Sequence, residues 1–493
     1  MAVAVLLLPR MRGQQPVTFD TARMNVAGIF SVGHSVFEHP DGYLAFSIQT
    51  GLDTFGQDLF STRFDGSGGV LTETSFKTYQ ADFAGFSSPV QSATSGYYVG
   101  MNRFGVIGPL DSLFLYRFNG DGDTLWTRFI AVDTTYTMRG TFVRNNDDVL
   151  LTGLHQYPEE TYIYHLDSLG NIKGYHGYPG FDGEDVVEGR DGSWYLCGMD
   201  NAPPNYGRGV LVRSDTNGTE LWRRTLTDAM PGWYKSLVEL QDSGVVCLGV
   251  GSPYPISVDS PACALAIKYN LSGDQVWRRD LFPALNHNAP SWFHAGYEAD
   301  DGTLVLTGWR RAGLPDWNKG LITKLTPDGN TIWSRQYTHY PGASYGKDQI
   351  FWDVKPTSDG GMVLTGETNS DDYAYAQLWL LKLDSMGCLV PGCGSVGVEE
   401  YTDALQPLLR VSPNPASEQV NVVLSLPETG EVEGQARVLL QDASGRTVLE
   451  QPVQRNLNQL RATVDVSALP AGLYYLHLRD ARRWLAGSKL VIQ

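Results

Sequence analysis

The stretch Lys268-Tyr269-Asn270-Leu271-Ser272-Gly273 is followed by Trp277, and Lys324-Leu325-Thr326-Pro327-Asp328-Gly329 is followed by Trp333. Each reads as an apolar strand, a tight turn closing on glycine, and a second strand that carries a tryptophan. The pattern occurs again as Arg117 to Gly122 with Trp126 and as Arg213 to Gly218 with Trp222. Three further copies, at Asp65 to Gly68, Asp167 to Gly170 and Asp384 to Gly387, keep the turn and lack the tryptophan. The turn glycines are therefore residues 68, 122, 170, 218, 273, 329 and 387, which makes seven repeats of 48 to 58 residues. Asp-Gly and Asn-Gly turns supply the positive φ that a tight hairpin requires.

A second signal sits between these turns. An acidic-glycine turn opens a strand at Asp41-Gly42, Asp191-Gly192, Asp301-Gly302 and Asp359-Gly360. The strand commonly ends on glycine, as in Leu151-Thr152-Gly153, Leu196-Cys197-Gly198, Leu306-Thr307-Gly308 and Leu364-Thr365-Gly366. Helical periodicity is almost missing between residues 15 and 395. A period near 50 built from short strands and tight turns predicts an all-β, seven-bladed β-propeller over residues 14–395. A β-solenoid is the rival, with rungs usually shorter than this period. Trp126, Trp222, Trp277 and Trp333 are expected to wedge between adjacent sheets, because a flat ring covers a large area. The last repeat stops after its third strand, and the orphan segment Pro16 to Ala22 stands in the register of a tryptophan strand. It is expected to complete the last blade, which removes two exposed sheet edges. The repeat resembles the tryptophan-docking repeat of quinoprotein propellers, and more closely the propeller-like repeats of exported Bacteroidota proteins.

The 493 residues carry a net charge of −17, with 42% hydrophobic and 18% charged residues. This composition is that of a folded globular chain. The negative balance argues against nucleic acid or an anionic membrane as partner. The run Ala2 to Leu8 reads as the end of a secretory signal peptide, with residues 1–13 its remnant. No other stretch approaches the ~18 apolar residues of a membrane span. In an exported chain, Cys388 and Cys393 flank a Pro-Gly turn and are expected to form a disulfide. Cys247 and Cys263, on neighbouring strands of one repeat, form a second candidate pair, and Cys197 has no obvious partner. No Cys/His cluster points to a metal.

The character changes after a linker at residues 396–407. Residues 408–493 carry a net +1 against −18 for the remainder and show their own strand pattern, expected to form a small Ig-like antiparallel β-sandwich. Pro413-Asn414-Pro415 opens this module and Gly445-Arg446 marks its middle. Leu469-Pro470-Ala471-Gly472-Leu473-Tyr474 turns the chain into a late strand. These blocks, in this order at the end of the chain, resemble the type A C-terminal sorting domain of the Bacteroidota type IX secretion system. The resemblance implies export by a signal peptide, then recognition by the type IX machinery and a secreted or outer-surface destination.

No catalytic constellation stands out, and neither a cofactor nor a metal site is expected. The nine histidines are scattered and no HExxH, Walker loop or Gly-x-Ser-x-Gly elbow is present. Aromatic and proline-rich stretches outside the core strands hold the candidate ligand-binding residues Tyr206, Trp292, Trp317 and Tyr373. They would stack on a sugar or anchor a protein partner. The chain thus reads as an exported, non-enzymatic binding or scaffold protein for an extracellular glycan or protein. The alternative, a glycan-active enzyme, predicts clustered carboxylates, or a carboxylate with His or Tyr, at the ring axis. A quinoprotein reading is disfavoured by the lack of a Cys-Cys pair and by seven repeats in place of eight.

Overall fold

The computed structural model describes residues 18–23, 30–50, 57–76, 84–107, 110–133, 136–156, 159–200, 207–226, 232–251, 262–282, 290–311, 318–340, 348–369, 375–390, 401–402, 405, 408–426, 432, 434, 435–442, 445–456, 458–480 and 484–493. By internal contacts the chain divides into two units, one made of residues 20–358 and 362–381, the other holding residues 382–493 with 1–19 and 359–361.

Seven antiparallel sheets form the β-propeller; five are built from consecutive strands alone, the sixth adds Tyr401–Thr402 at its outer edge, and the seventh adds a strand from the start of the chain. Their first, innermost strands are Ser31–His39, the pair Ala84–Phe86 and Val90–Gln91, Tyr136–Val143, Phe181–Glu188, Trp233–Glu239, Ser291–Glu298 and Gln349–Pro356. Blades are numbered one to seven in that order. The orphan segment behaves as its register predicted. Phe19–Arg23 is the outermost strand of blade seven, paired beside Gln377–Leu383. Asp20 fixes it there: Oδ1 accepts the indole N–H of the buried Trp379 at 2.7 Å and lies 2.8 Å from His339 Nδ1.

The turns explain the repeat's first position as well as its glycine. Asn270 Oδ1 accepts the backbone N–H groups of Ser272 and Asp274 at 3.0 and 2.9 Å. Asp65, Asn119, Asp167 and Asp215 do the same in their own turns. The side chain thereby satisfies donors that the turn would leave open.

The tryptophans lie between blades. Trp222 of blade four donates its indole N–H to Leu271 O in the turn of blade five at 3.1 Å, and Trp277 donates to Pro327 O of blade six at 3.0 Å. A Cβ at Gly329 would lie 2.8 Å from the Trp277 ring, so glycine is needed for contact as well as for its φ of 78°. An arginine two residues after each tryptophan completes the dock. Arg224 Nε donates to Gly273 O at 2.9 Å and Arg279 Nε to Gly329 O at 2.8 Å. Arg128, Arg224, Arg279 and Arg335 each lie over the preceding tryptophan ring, at 5.2 to 5.9 Å from its centre. In blade three, which lacks the tryptophan, His176 fills the place against Gly218.

The C-terminal module is a sandwich of two four-stranded antiparallel sheets. One holds Leu409–Ser412, Gln419–Ser425, Gln459–Asp465 and Gln454–Asn456, the other Thr447–Pro452, Arg437–Asp442, Gly472–Arg479 and Trp484–Ile492. Alternate residues such as Val420, Val422 and Leu424 point into a shared core with Val438, Leu440, Leu476 and Leu478.

The cysteine readings divide. Cys247 pairs across the ladder with Ile267 and Cys263 with Gly251, so the two stand on different rungs, and both are free thiols, as is Cys197. The open question of a Cys247–Cys263 pair is thereby answered: neighbouring strands are insufficient when the register separates the side chains. Cys388 is buried at the end of blade seven, and Cys393 lies outside the described residues.

Candidate functional site

A cavity of about 340 Å³ lies on the axis of the ring, lined from all seven inner strands. Its shape follows from one repeated irregularity. In blade six, Phe293 pairs with Gly308 and Ala295 with Thr307, which leaves His294 as an extra, unpaired residue. Such a bulge re-aims one side chain out of the pleat. The same slip leaves out His34, Arg139, Glu184, Lys235 and Trp352. Blade two repeats it. Ser87 bonds to Gly100, Val90 pairs with Tyr98, and Ser87 to Pro89 face two residues, so Ser88 holds the equivalent place. All seven of these residues line the cavity.

In five blades the strand-ending glycine accommodates the bulge. A Cβ at Gly153, Gly198, Gly249, Gly308 or Gly366 would come within 1.9 Å of a carbonyl oxygen of the inner strand. Glycine lets the backbone approach this closely; blade one makes the same slip with Ser47 opposite Gly33.

Six of the seven side chains fall into two groups, with Ser88 in neither. His294 stacks on Trp352 with centroids 4.1 Å apart and planes 10° off parallel, and His34 stacks on Trp352 at 5.8 Å. Burial, aided by the Lys235 charge, holds His34 down to about 4 and His294 down to about 3, so both imidazoles are neutral at ordinary pH. His294 Nδ1 donates to Phe351 O at 3.1 Å. Opposite, Lys235 Nζ lies 2.6 Å from Glu184 Oε2, and Arg139 lies 3.6 Å from Glu184 Oε1 and 3.2 Å from Asp182.

Two further carboxylates stand beside the bulges and face the neighbouring blade. Asp185 Oδ2 accepts the Leu237 N–H of blade five at 2.9 Å. Asp353 Oδ2 accepts the Val36 N–H of blade one at 3.2 Å, and its other oxygen meets Lys355 at 2.9 Å. Burial pushes Asp185 up to about 6. The axial carboxylates and histidines that the enzyme alternative required are thus present, with Asp185 and Asp353 bonded to backbone across a blade boundary.

Trp292 lies on the inner strand of blade six, where a loop outside the core strands was expected; alternating Trp292, Phe293 and His294 simply continue the pleat and then the bulge. It is half-buried, 5.3 Å edge-to-face from Trp233 and 6.3 Å from Trp309. The indole N–H groups of Trp233 and Trp292 have no hydrogen-bond partner among the described residues. Tyr206, Trp317 and Tyr373 lie outside the described residues, in the connections between second and third strands of blades four, six and seven. The axial residues escaped the sequence reading. Their usable signal was the paired glycine of the second strand.

The motif residues of the C-terminal module hold its last strand and turns. Asn414 donates to Lys489 O at 2.8 Å and accepts from Val491 N at 2.9 Å. Pro413 and Pro415 flank it, each after a cis peptide bond. Gly445, at φ 79°, closes a turn in which Arg446 ion-pairs with Asp442 at 3.0 Å. Leu469 packs on the core, and Tyr474 OH donates to Pro470 O at 2.8 Å, which ties the Leu469–Gly472 turn to the following strand. Residues 410–493 match the secretion system C-terminal sorting domain.

The sorting domain places the chain among cargoes of type IX secretion, destined for the outside of the cell or its surface. Among the described residues no helix is long and apolar enough to cross a membrane. No curated protein sequence matches the chain. Among solved structures, the β-propeller domain of the trilobed protease from Pyrococcus furiosus is similar at 9% identity, TM-score 0.42, over 71% of this chain and 93% of that one. Pyrococcus horikoshii acylaminoacyl peptidase is similar at 10% identity, TM-score 0.44, over 82% of this chain and 59% of that one. Synechocystis apocarotenoid oxygenase is similar at 10% identity, TM-score 0.38, over 66% and 95%. These likenesses carry no information on activity.

Proposed function

We propose that the protein is a recognition module, secreted or displayed at the cell surface, whose propeller binds an extracellular glycan or protein without chemistry of its own. The sorting domain carries it out. The observation that supports binding is the seven-fold bulge, which directs polar and aromatic side chains into one axial cavity. Half-exposed Trp233, Trp292 and Trp309 add an aromatic group near the end of the inner strands. Aromatic anchors that a partner buries on binding dominate recognition energetics. Glycan-array and extracellular-matrix binding by the full chain tests this, with Trp292→Ala alongside. Saturable binding weakened in the variant is the expected result; no binding by a folded ring refutes the reading.

A second reading, a glycan-active enzyme, draws on Glu184, Asp185 and Asp353 beside His34 and His294. A carboxyl held near 6 is suited to proton transfer at mild pH. Asp185 and Asp353 are occupied with inter-blade backbone bonds, which favours binding. Release of reducing ends from a polysaccharide, lost in Asp185→Asn, would reverse that preference.

A further inference from the structure

We infer that the axial cavity seats the terminal residue of a neutral saccharide chain, in the place left open by Ser88 between His34 and Arg139. This rests on the reading of the ring as a recognition module and adds where, and what, it binds.

Six of the seven bulge positions carry a large side chain, and Ser88 of blade two is the exception. By blade order its neighbours are His34 and Arg139. The ring of inward side chains therefore has one missing member, bounded by a neutral aromatic stack on one side and an ion-paired group on the other. Ser88 is exposed, so this space opens to the cavity.

Polar atoms lining the same cavity are not all used up. Glu184 Oε1 accepts no hydrogen bond, although its side chain is only 1% exposed. Arg139 Nε and Ser236 Oγ are buried and also lack partners among the described residues. Buried polar groups without partners cost stability, so an occupant that supplies both donors and acceptors is favoured. Hydroxyl groups do both.

Charge selects against ions. Arg139, Lys235 and Lys355 face Glu184, Asp185 and Asp353 around the same cavity, which leaves its lining without net charge. A charged guest would lose its hydration without a compensating counter-charge. A sugar ring fits both halves: an apolar C–H face for the aromatic side and in-plane hydroxyls for the polar side. The volume of about 340 Å³ is near the lower bound for small-molecule pockets, which suits one ring better than a long segment. Enclosure by seven inner strands means that a chain must arrive along the axis, end first.

The test is isothermal titration of the full chain with neutral gluco-, galacto- and N-acetylglucosamine oligosaccharides. Uronic acid oligomers of matched length and cyclic neutral oligosaccharides form the contrasting arms. Open neutral chains should bind saturably, and the cyclic and uronic forms should bind roughly tenfold more weakly or worse. Ser88→Trp should show the same loss. Ser236→Ala, which removes a single hydroxyl and leaves the fold intact, should weaken binding roughly threefold or more. Equal binding of open and cyclic chains, preference for uronic acids, or indifference to both serine variants overturns the inference. Binding lost in Trp292→Ala but untouched by Ser88→Trp and Ser236→Ala overturns the axial placement and leaves the recognition role standing. No binding to any glycan or matrix protein overturns both.

Discussion

Replacing His294 by Asn should change how stability depends on pH, by an amount that the cavity geometry sets. His294 is stacked on Trp352 and bonded through Nδ1 to Phe351 O, and burial beside the Lys235 charge holds its pKa down to about 3 against 6.5 in the unfolded chain. A depressed folded value means that its stabilising contribution is complete above 6.5 and is lost as pH falls toward 3. Between about pH 7.5 and pH 5 the unfolded histidine binds a proton and the folded one does not. The loss is 1.36 kcal/mol for each of roughly 1.5 units below 6.5, about 2 kcal/mol. Asn keeps a donor for Phe351 O and cannot titrate. Urea unfolding of the full chain, followed by tryptophan fluorescence at both pH values, gives the comparison. Wild type should lose about 2 kcal/mol more than His294→Asn over this interval, whatever the absolute stability of the variant. Other groups that titrate here, Asp185 and His34 among them, are common to both proteins and cancel to first order. Parallel pH profiles would refute the assignment of a buried neutral imidazole at the axis.

Asp20→Ala removes the acceptor of the buried Trp379 indole and should lower stability by about 1–3 kcal/mol, read as a lower unfolding midpoint; an unchanged midpoint would mean that Phe19–Arg23 does not close the ring. Gly308→Ala places a Cβ 1.9 Å from Trp292 O, so the bulge of blade six must shift; about 1–3 kcal/mol of destabilisation is expected, together with loss of any axial ligand binding. Asn414→Ala breaks both bonds to the last strand of the sorting domain, and the secreted fraction of the protein should fall relative to the cell-retained fraction; normal export would remove Asn414 from the list of residues that sorting needs.

The ring was legible because its turns are local. Asn270, Gly273 and Trp277 lie within eight positions, and each is explained by bonds inside one hairpin or to the next one. Ring closure was legible for the same reason: a missing fourth strand at one end and an orphan at the other leave a single pairing that removes both edges. The arginine two residues after each of Trp126, Trp222, Trp277 and Trp333 was present in the sequence and went unread, since cation–ring contact is a tertiary fact. The axial site was harder. Whether a residue enters the channel depends on a one-residue slip in register, and such a slip moves every following side chain to the other face. Alternation along Trp292-Phe293-His294-Ala295 has no internal mark of the slip. Its mark lies on the partner strand, at Gly308, where any side chain would strike the carbonyl of Trp292. The Leu-Thr-Gly ending, read from sequence as strand punctuation, is therefore the partner-strand mark of the bulge in most blades. The bulge frees one position per blade from the packing constraints of the core, and that position is where His, Ser, Arg, Glu, Lys and Trp are found in a ring whose other inner residues are largely apolar or small.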